Sequence, residues 1–143
     1  MIDQTTRYGI STTVPLEYDR AVERTKEELA KEGFGVLSEI DISATLKKKL
    51  GADFRPYVIL GACNPPLALR ALTAERDLGL LLPCNVVVYA DDDSNRSVVA
   101  AMDPEAALEL TANPEVTEVA REVKTRLGRV LAAVEAALPV GER

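Results

Sequence analysis

Apolar residues alternate with polar or small residues in the first of five short segments of the chain, and each of the five predicts a β-strand. The segments are rich in β-branched residues and end near proline, glycine or acidic residues, which is typical of strands. From Tyr57 onward the third segment is almost wholly apolar, which indicates a strand inside the sheet. The predicted strands are residues 8–14, 34–40, 55–63, 84–89 and 96–102.

Between and after these strands, apolar residues recur every three or four positions and predict helices. Three of the helices follow Asn or Asp and then Pro, a pair that suits the N-cap and the first helical position. Ser43 is the predicted N-cap of the second helix, which Gly51 ends. The predicted helices are residues 16–32, 44–50, 65–76, 104–110 and 115–138.

The resulting order, β-α-β-α-β-α-β-β-α-α, does not alternate strictly between strand and helix. It therefore predicts an α+β fold, with an antiparallel or mixed sheet of about five strands and helices largely on one face. The chain has 143 residues and no long linker or internal repeat. We expect one domain that covers residues 1–143.

The last predicted helix carries a broad apolar stripe whose members are three or four residues apart. One interpretation is that the whole stripe packs on the sheet, and another is that part of it meets a second subunit. Uncovered sheet edges also favour assembly, so we expect a two-fold homodimer that buries on the order of 1,200 Å² or more. The stripe consists of Val116, Val119, Ala120, Val123, Leu127, Val130, Leu131, Val134, Ala137 and Leu138.

Composition excludes several classes of function. Histidine is absent, so Ser-His-Asp triads, Cys-His pairs and His-based zinc sites are excluded. The net charge of −6 argues against nucleic acid as a partner. No apolar run is long enough to span a membrane, and the first residues do not resemble a signal peptide. We therefore expect a cytoplasmic protein.

The two cysteines lie in similar motifs, Ala62-Cys63-Asn64-Pro65 and Pro83-Cys84-Asn85. The first motif ends a strand and the second begins one, so we expect them to share one end of the sheet. Because Cys63 precedes a predicted helix N-terminus, its thiolate would be favoured there. The candidate ligand-binding residues are Cys63, Asn64, Pro65, Cys84 and Asn85.

These residues leave several functions open. The motifs either bind a small ligand or metal ion, or serve a redox or sulfur-transfer enzyme with Cys63 as nucleophile and Cys84 as resolving thiol. A structural or partner-binding domain is also possible, in which both thiols are merely small buried side chains. Zinc held by cysteine alone needs four thiolates, hence two chains. No general base can be named, so we expect binding rather than catalysis, with cofactor and metal undetermined.

Three charged clusters are weaker candidates for a site. The run 47–49 of lysines suits the last turns of a helix, where cations are favoured. The run 91–93 of aspartates is typical of a hairpin turn and lacks the spacing of a calcium loop. Glu39 and Asp41 share one face of a strand, but no second motif marks them as an acid–base pair.

Six blocks of the chain form an ordered pattern: Gly35–Asp41, Ala44–Gly51, Phe54–Tyr57, Gly61–Pro65, Gly79–Val86 and Asp103-Pro104. In this order they resemble the Domain of Unknown Function 302 family over about residues 8–138. The resemblance implies a small α+β protein with a curved antiparallel sheet in a TATA-binding-protein-like arrangement, and a homodimer. It implies no activity.

Overall fold

The computed structural model describes residues 2–3 and 6–137. These residues form an antiparallel sheet of five strands with helices packed on it. The strand order is β1-β5-β4-β3-β2, and every neighbouring pair is antiparallel. The sheet is not closed, and the predicted α+β fold is confirmed. The strands are β1 Gly9–Val14, β2 Gly35–Asp41, β3 Tyr57–Cys63, β4 Cys84–Ala90 and β5 Ser97–Met102.

Five α-helices connect and follow the strands, and two short 3₁₀ segments at 76–81 and 109–111 join them. Asn64, Asp103 and Asn113 accept hydrogen bonds from first-turn N–H groups, as the predicted caps require. Among the described residues, none of the helices has the length and apolar character needed to cross a membrane. The helices are α1 Tyr18–Lys31, α2 Ile42–Leu50, α3 Pro65–Ala74, α4 Pro104–Leu108 and α5 Pro114–Glu135.

The predicted N-cap of the second helix is wrong. Helix α2 begins at Ile42 because Asp41, not Ser43, is its N-cap: the Asp41 carboxylate accepts a 2.9 Å bond from the N–H of Ala44. Ser43 instead donates its hydroxyl to that same carboxylate at 2.8 Å. Helix α5 ends at Glu135, and the predicted end at Leu138 lies outside the described residues.

The core lies between one face of the sheet and helices α1, α3 and α5. Alternate strand residues point into it, so period-two burial is clear along β1, β4 and β5. The residues that point the other way are only partly buried or are exposed. The inward strand residues include Ile10, Val14, Val58, Leu60, Ala62, Cys84, Val86, Val88, Val99 and Ala101.

The apolar stripe of α5 is buried inside the chain. Every described member is buried, from Val116 at 0% exposed to Ala137 at 8%. Helix α5 packs against α1, α3, α4 and the sheet, so neighbours of the same chain bury the stripe. This burial supports the interpretation of core packing, and a homodimer stays a prediction. Leu138, its last predicted member, lies outside the described residues.

Candidate functional site

Strands β3 and β4 bring the two cysteine motifs to one end of the sheet. They are adjacent and antiparallel, and Ala62 is the register partner of Cys84. Cys84 therefore shares the buried face with Ala62, whereas strand alternation assigns Cys63 to the opposite face. Both residues nevertheless line one cavity, because each is the terminal residue of its strand and the cavity lies where the sheet ends.

This cavity, here called the thiol cavity, has a volume of about 430 Å³. The ends of β3 and β4 form one wall, α3 and the following 3₁₀ segment form another, and α4 and α5 contribute at the base. Leu37 and Leu72 line it while remaining 70% and 37% exposed, so the cavity opens to solvent between apolar side chains. The lining residues are Phe34, Leu37, Ser38, Ala62, Cys63, Asn64, Leu67, Ala68, Ala71, Leu72, Leu78, Gly79, Leu82, Pro83, Cys84, Leu108, Val119 and Val123.

Small residues on the wall leave this space unfilled. Ala68 and Ala71 stand one turn apart on α3, and Gly79 follows in the 3₁₀ segment. A side-chain Cβ built on Gly79 would meet no atom within 4 Å. Apart from Ser38, Asn64 and the two thiols, every lining residue is apolar, and none carries a charge. The thiol cavity is thus an uncharged apolar site with a few polar groups, a common form of small-molecule site.

Burial changes the chemistry of Cys84. Removal from water raises the pKa of its thiol from 9.0 to about 11, and the nearby Cys63 contributes to the same shift. The thiol is 7% exposed as a residue, so the neutral S–H form is strongly favoured at neutral pH. Cys84 therefore acts there as a weak S–H donor and a small apolar group rather than as a nucleophile.

The two cysteines are free thiols. Strand alternation assigns Cys63 and Cys84 to opposite faces, and the register pairs Cys84 with Ala62, so the two thiols are not direct cross-strand partners. The arrangement does not favour Cys84 as the resolving thiol of a redox pair.

Both the oxygen and the nitrogen of the Asn64 side-chain amide form hydrogen bonds within the chain. Its side-chain oxygen accepts a 3.4 Å bond from the N–H of Leu67, which caps α3. Its side-chain nitrogen donates a 3.3 Å bond to the carbonyl oxygen of Glu32, which ends α1. Asn64 is 7% exposed, so it combines a structural role with a position on the cavity wall.

Pro65 and Asn85 do not line the thiol cavity. Pro65 occupies the first turn of α3 and is exposed. Asn85 follows Cys84 in a strand and so points to the other face, where it is exposed. The structure therefore brings Cys63, Asn64 and Cys84 together and separates Asn85 from them.

The face that carries Asn85 forms a second concave surface, here called the open sheet face, with a groove of about 540 Å³. The rings of Tyr57 and Tyr89 stack there with centroids 5.2 Å apart, and Phe54 approaches Tyr57 at 6.0 Å. Tyr8 is 70% exposed beside them. The groove is lined by Thr6, Tyr8, Gly9, Ser11, Tyr57, Asn85, Val87, Tyr89, Ala100, Ala101, Met102 and Ala107.

The charged clusters of the sequence are engaged in local ion pairs. Lys47 contacts Asp53 at 2.8 Å near the end of α2, and Glu39 contacts Lys26 at 2.8 Å. The three aspartates of the run 91–93 contact arginines around the β4–β5 turn. Within the part of the chain that the structure describes, no three Cys, Asp or Glu side chains are grouped to hold a metal ion.

Sequence reasoning missed most of the cavity wall. The helix α3 was predicted, but neither its apolar residues nor Ser38, Val119 and Val123 were included in any site. The available signal was the small size of Ala68, Ala71 and Gly79 on one wall. That signal becomes meaningful only when the opposing surface is known.

Comparisons with known proteins agree with this architecture. Residues 10–134 match the model of a family described as domain of unknown function DUF302. The chain is also similar to a crystal structure of an uncharacterized conserved protein DUF302 from Bacillus stearothermophilus, with a TM-score of 0.83 and 31% identity. That similarity covers 90% of this chain and 99% of the other. No curated protein matches the sequence.

Proposed function

We propose that this chain, which belongs to the DUF302 family, binds a small molecule in the thiol cavity. The observation that carries the proposal is an open space of about 430 Å³ that both cysteines and Asn64 line. Its size lies within the range of roughly 300–1,000 Å³ that is usual for small-molecule sites. In this proposal Cys63, Asn64 and Cys84 bind the polar end of the ligand, and Pro65 and Asn85 do not contact it.

The raised pKa of Cys84 supports binding over thiol catalysis. With a pKa of about 11, only about one thiol in 10⁴ is ionised at pH 7. A resolving cysteine needs a populated thiolate, and Cys84 lacks one at that pH. The thiols then serve as polarizable contacts inside an apolar wall. Free thiols of this kind suit a reducing compartment, so we also propose a cytoplasmic location.

We propose further that the protein is a homodimer that pairs through the open sheet face. With the stripe of α5 buried inside the chain, this face is a broad, largely apolar surface that the described residues leave uncovered. Tyr57 and Tyr89 present a stacked aromatic pair there, and tyrosine is enriched in protein interfaces. A second copy can cover the same face in a two-fold arrangement, because the patch then meets itself.

Fragment screening by NMR tests ligand binding without assuming the ligand. A set that contains neutral, cationic and anionic fragments is titrated into ¹⁵N-labelled protein, and shifts are mapped onto the thiol cavity. We expect some fragments to shift the amide signals of Cys63, Cys84 and Val123 together. The variant Ala71→Leu fills the cavity and should abolish these shifts, whereas Ala44→Leu on exposed α2 should retain them. If no fragment shifts the signals of these residues in the wild type, the proposal is wrong.

A further inference from the structure

The lining of the thiol cavity restricts the charge of what it can hold. None of the residues that line it is charged, and its polar groups are one hydroxyl, one amide and two thiols. A charged ligand would lose its hydration there without gaining an opposite charge, which costs several kcal/mol. The high pKa of Cys84 reports the same low polarity for the protein's own thiol.

The amide of Asn64 supplies a donor for a single polar atom. An asparagine side chain has two N–H donors, and among the described residues only one bond from this nitrogen is present, to Glu32. The other N–H suits an acceptor oxygen, such as that of a hydroxyl, ketone or ester. A thiol is only a weak donor, so Cys63 and Cys84 add little competing polarity.

Size and entrance indicate a ligand with a mainly apolar body. An apolar protein cavity of roughly 150 Å³ accommodates benzene, so about 430 Å³ accommodates a molecule two to three times larger. The exposed Leu37 and Leu72 at the rim provide an apolar route into the cavity.

We infer that the thiol cavity selects an uncharged, mainly aliphatic ligand with one acceptor oxygen, and this inference rests on the proposed binding function. It excludes fatty-acid anions, phosphates and amino acids, and it includes medium-chain alcohols, ketones and esters. Selection arises from the cost of burying a charge rather than from shape, because a neutral molecule and its ionised analogue fill the same space.

Octan-1-ol and octanoate provide a matched pair of probes, equal in chain length and different in charge. Their affinities for the purified full chain are measured by isothermal titration calorimetry at pH 8. We expect octan-1-ol to bind at least roughly 30-fold more tightly than octanoate, a factor that corresponds to the burial of an unpaired charge. Ala68→Leu should weaken the binding of octan-1-ol at least roughly tenfold, because the larger side chain fills space in the cavity. Ala44→Leu on α2 should leave the binding unchanged.

The outcomes separate the two proposals. Octanoate binding as tightly as octan-1-ol would overturn the inference about charge but leave a ligand-binding cavity in place. If fragments shift the signals of cavity residues but octan-1-ol does not bind, the inference about the ligand is overturned and the proposed binding function stands. An equal loss of octan-1-ol affinity in Ala68→Leu and Ala44→Leu would assign binding to another surface and contradict the inference. If neither probe nor any fragment binds, both proposals are wrong.

Discussion

The side-chain nitrogen of Asn64 donates a hydrogen bond of 3.3 Å to the carbonyl oxygen of Glu32, so the residue that caps α3 also holds the end of α1. Arg126 on α5 donates to the same carbonyl at 3.0 Å. Three helices therefore meet at one acceptor beside the thiol cavity. The position of the cavity wall depends on this junction as well as on apolar packing.

Asn64→Ala should destabilise the protein by about 1–3 kcal/mol, because it removes the cap of α3 and leaves a part-buried donor and acceptor without this partner. Asn64→Asp keeps a cap oxygen and loses only the N–H donor to Glu32, so its cost should be smaller. Urea denaturation gives the free energies of unfolding. Asn95→Ala, in the exposed β4–β5 turn, serves as the control and should cost less than about 0.5 kcal/mol.

Gly61 has no room for a side chain in the sheet. A Cβ at this position would lie 2.3 Å from the hydroxyl oxygen of Ser38 and 3.0 Å from the Cγ of Pro83. Gly61→Ala should therefore cost about 1–3 kcal/mol in thermal or urea unfolding. Combining it with Ser38→Ala removes the nearer obstacle, so the double variant should be more stable than the sum of the single effects. Strictly additive effects would contradict this account of the close approach.

The buried thiol of Cys84 should make stability depend on alkaline pH. Its pKa is about 11 when folded against 9.0 for an unperturbed thiol. A pKa raised by folding stabilises the protein fully below pH 9, and this contribution is lost as pH rises towards 11. The advantage of the wild type over Cys84→Ala should shrink by about 2–3 kcal/mol between pH 8 and 11.

Val86→Ala is the matched control for this measurement, because Val86 is buried on the same strand and does not titrate. Its cost in urea denaturation should stay constant over the same range of pH. A constant cost for Cys84→Ala as well would show that the thiol ionises equally well in the folded and unfolded states.

Pairing through the open sheet face predicts a mass of about 31 kDa, twice the chain mass of 15.5 kDa. Val87→Lys puts a charge in the middle of that face and should give the monomer mass in sedimentation equilibrium at micromolar concentration. Thr125→Lys adds the same charge on the exposed side of α5 and should leave the dimer intact. A wild-type mass of 15.5 kDa throughout would refute dimerisation.

Local signals in the sequence predicted most of the fold. Cap-and-proline pairs such as Asn64-Pro65 define helix starts through neighbouring groups alone, and the structure confirms them. The second cap was missed because Asp41 and Ser43 are both good capping residues two positions apart, and only the geometry of the turn decides between them.

The candidate site was predicted less completely because it depends on packing at a distance. Cys84 lines the thiol cavity and Asn85 lines the groove on the open sheet face, so the two do not share a site, although the paired motifs suggested that they do. The width of the α5 stripe likewise left two interpretations open. A sequence identifies apolar residues, but it does not say how many elements of the same chain will cover them.

Helix α2 contains no buried residue, and Leu50 at its end is 74% exposed. A nine-residue helix is too short to persist alone in water, and little tertiary packing holds this one. Its backbone amides should therefore exchange with deuterium through local opening, well before those of the buried strand β4. Helix α2 should therefore unfold as a separate, weakly coupled unit, whereas the buried strand β4 and helix α5 should open only with the whole molecule.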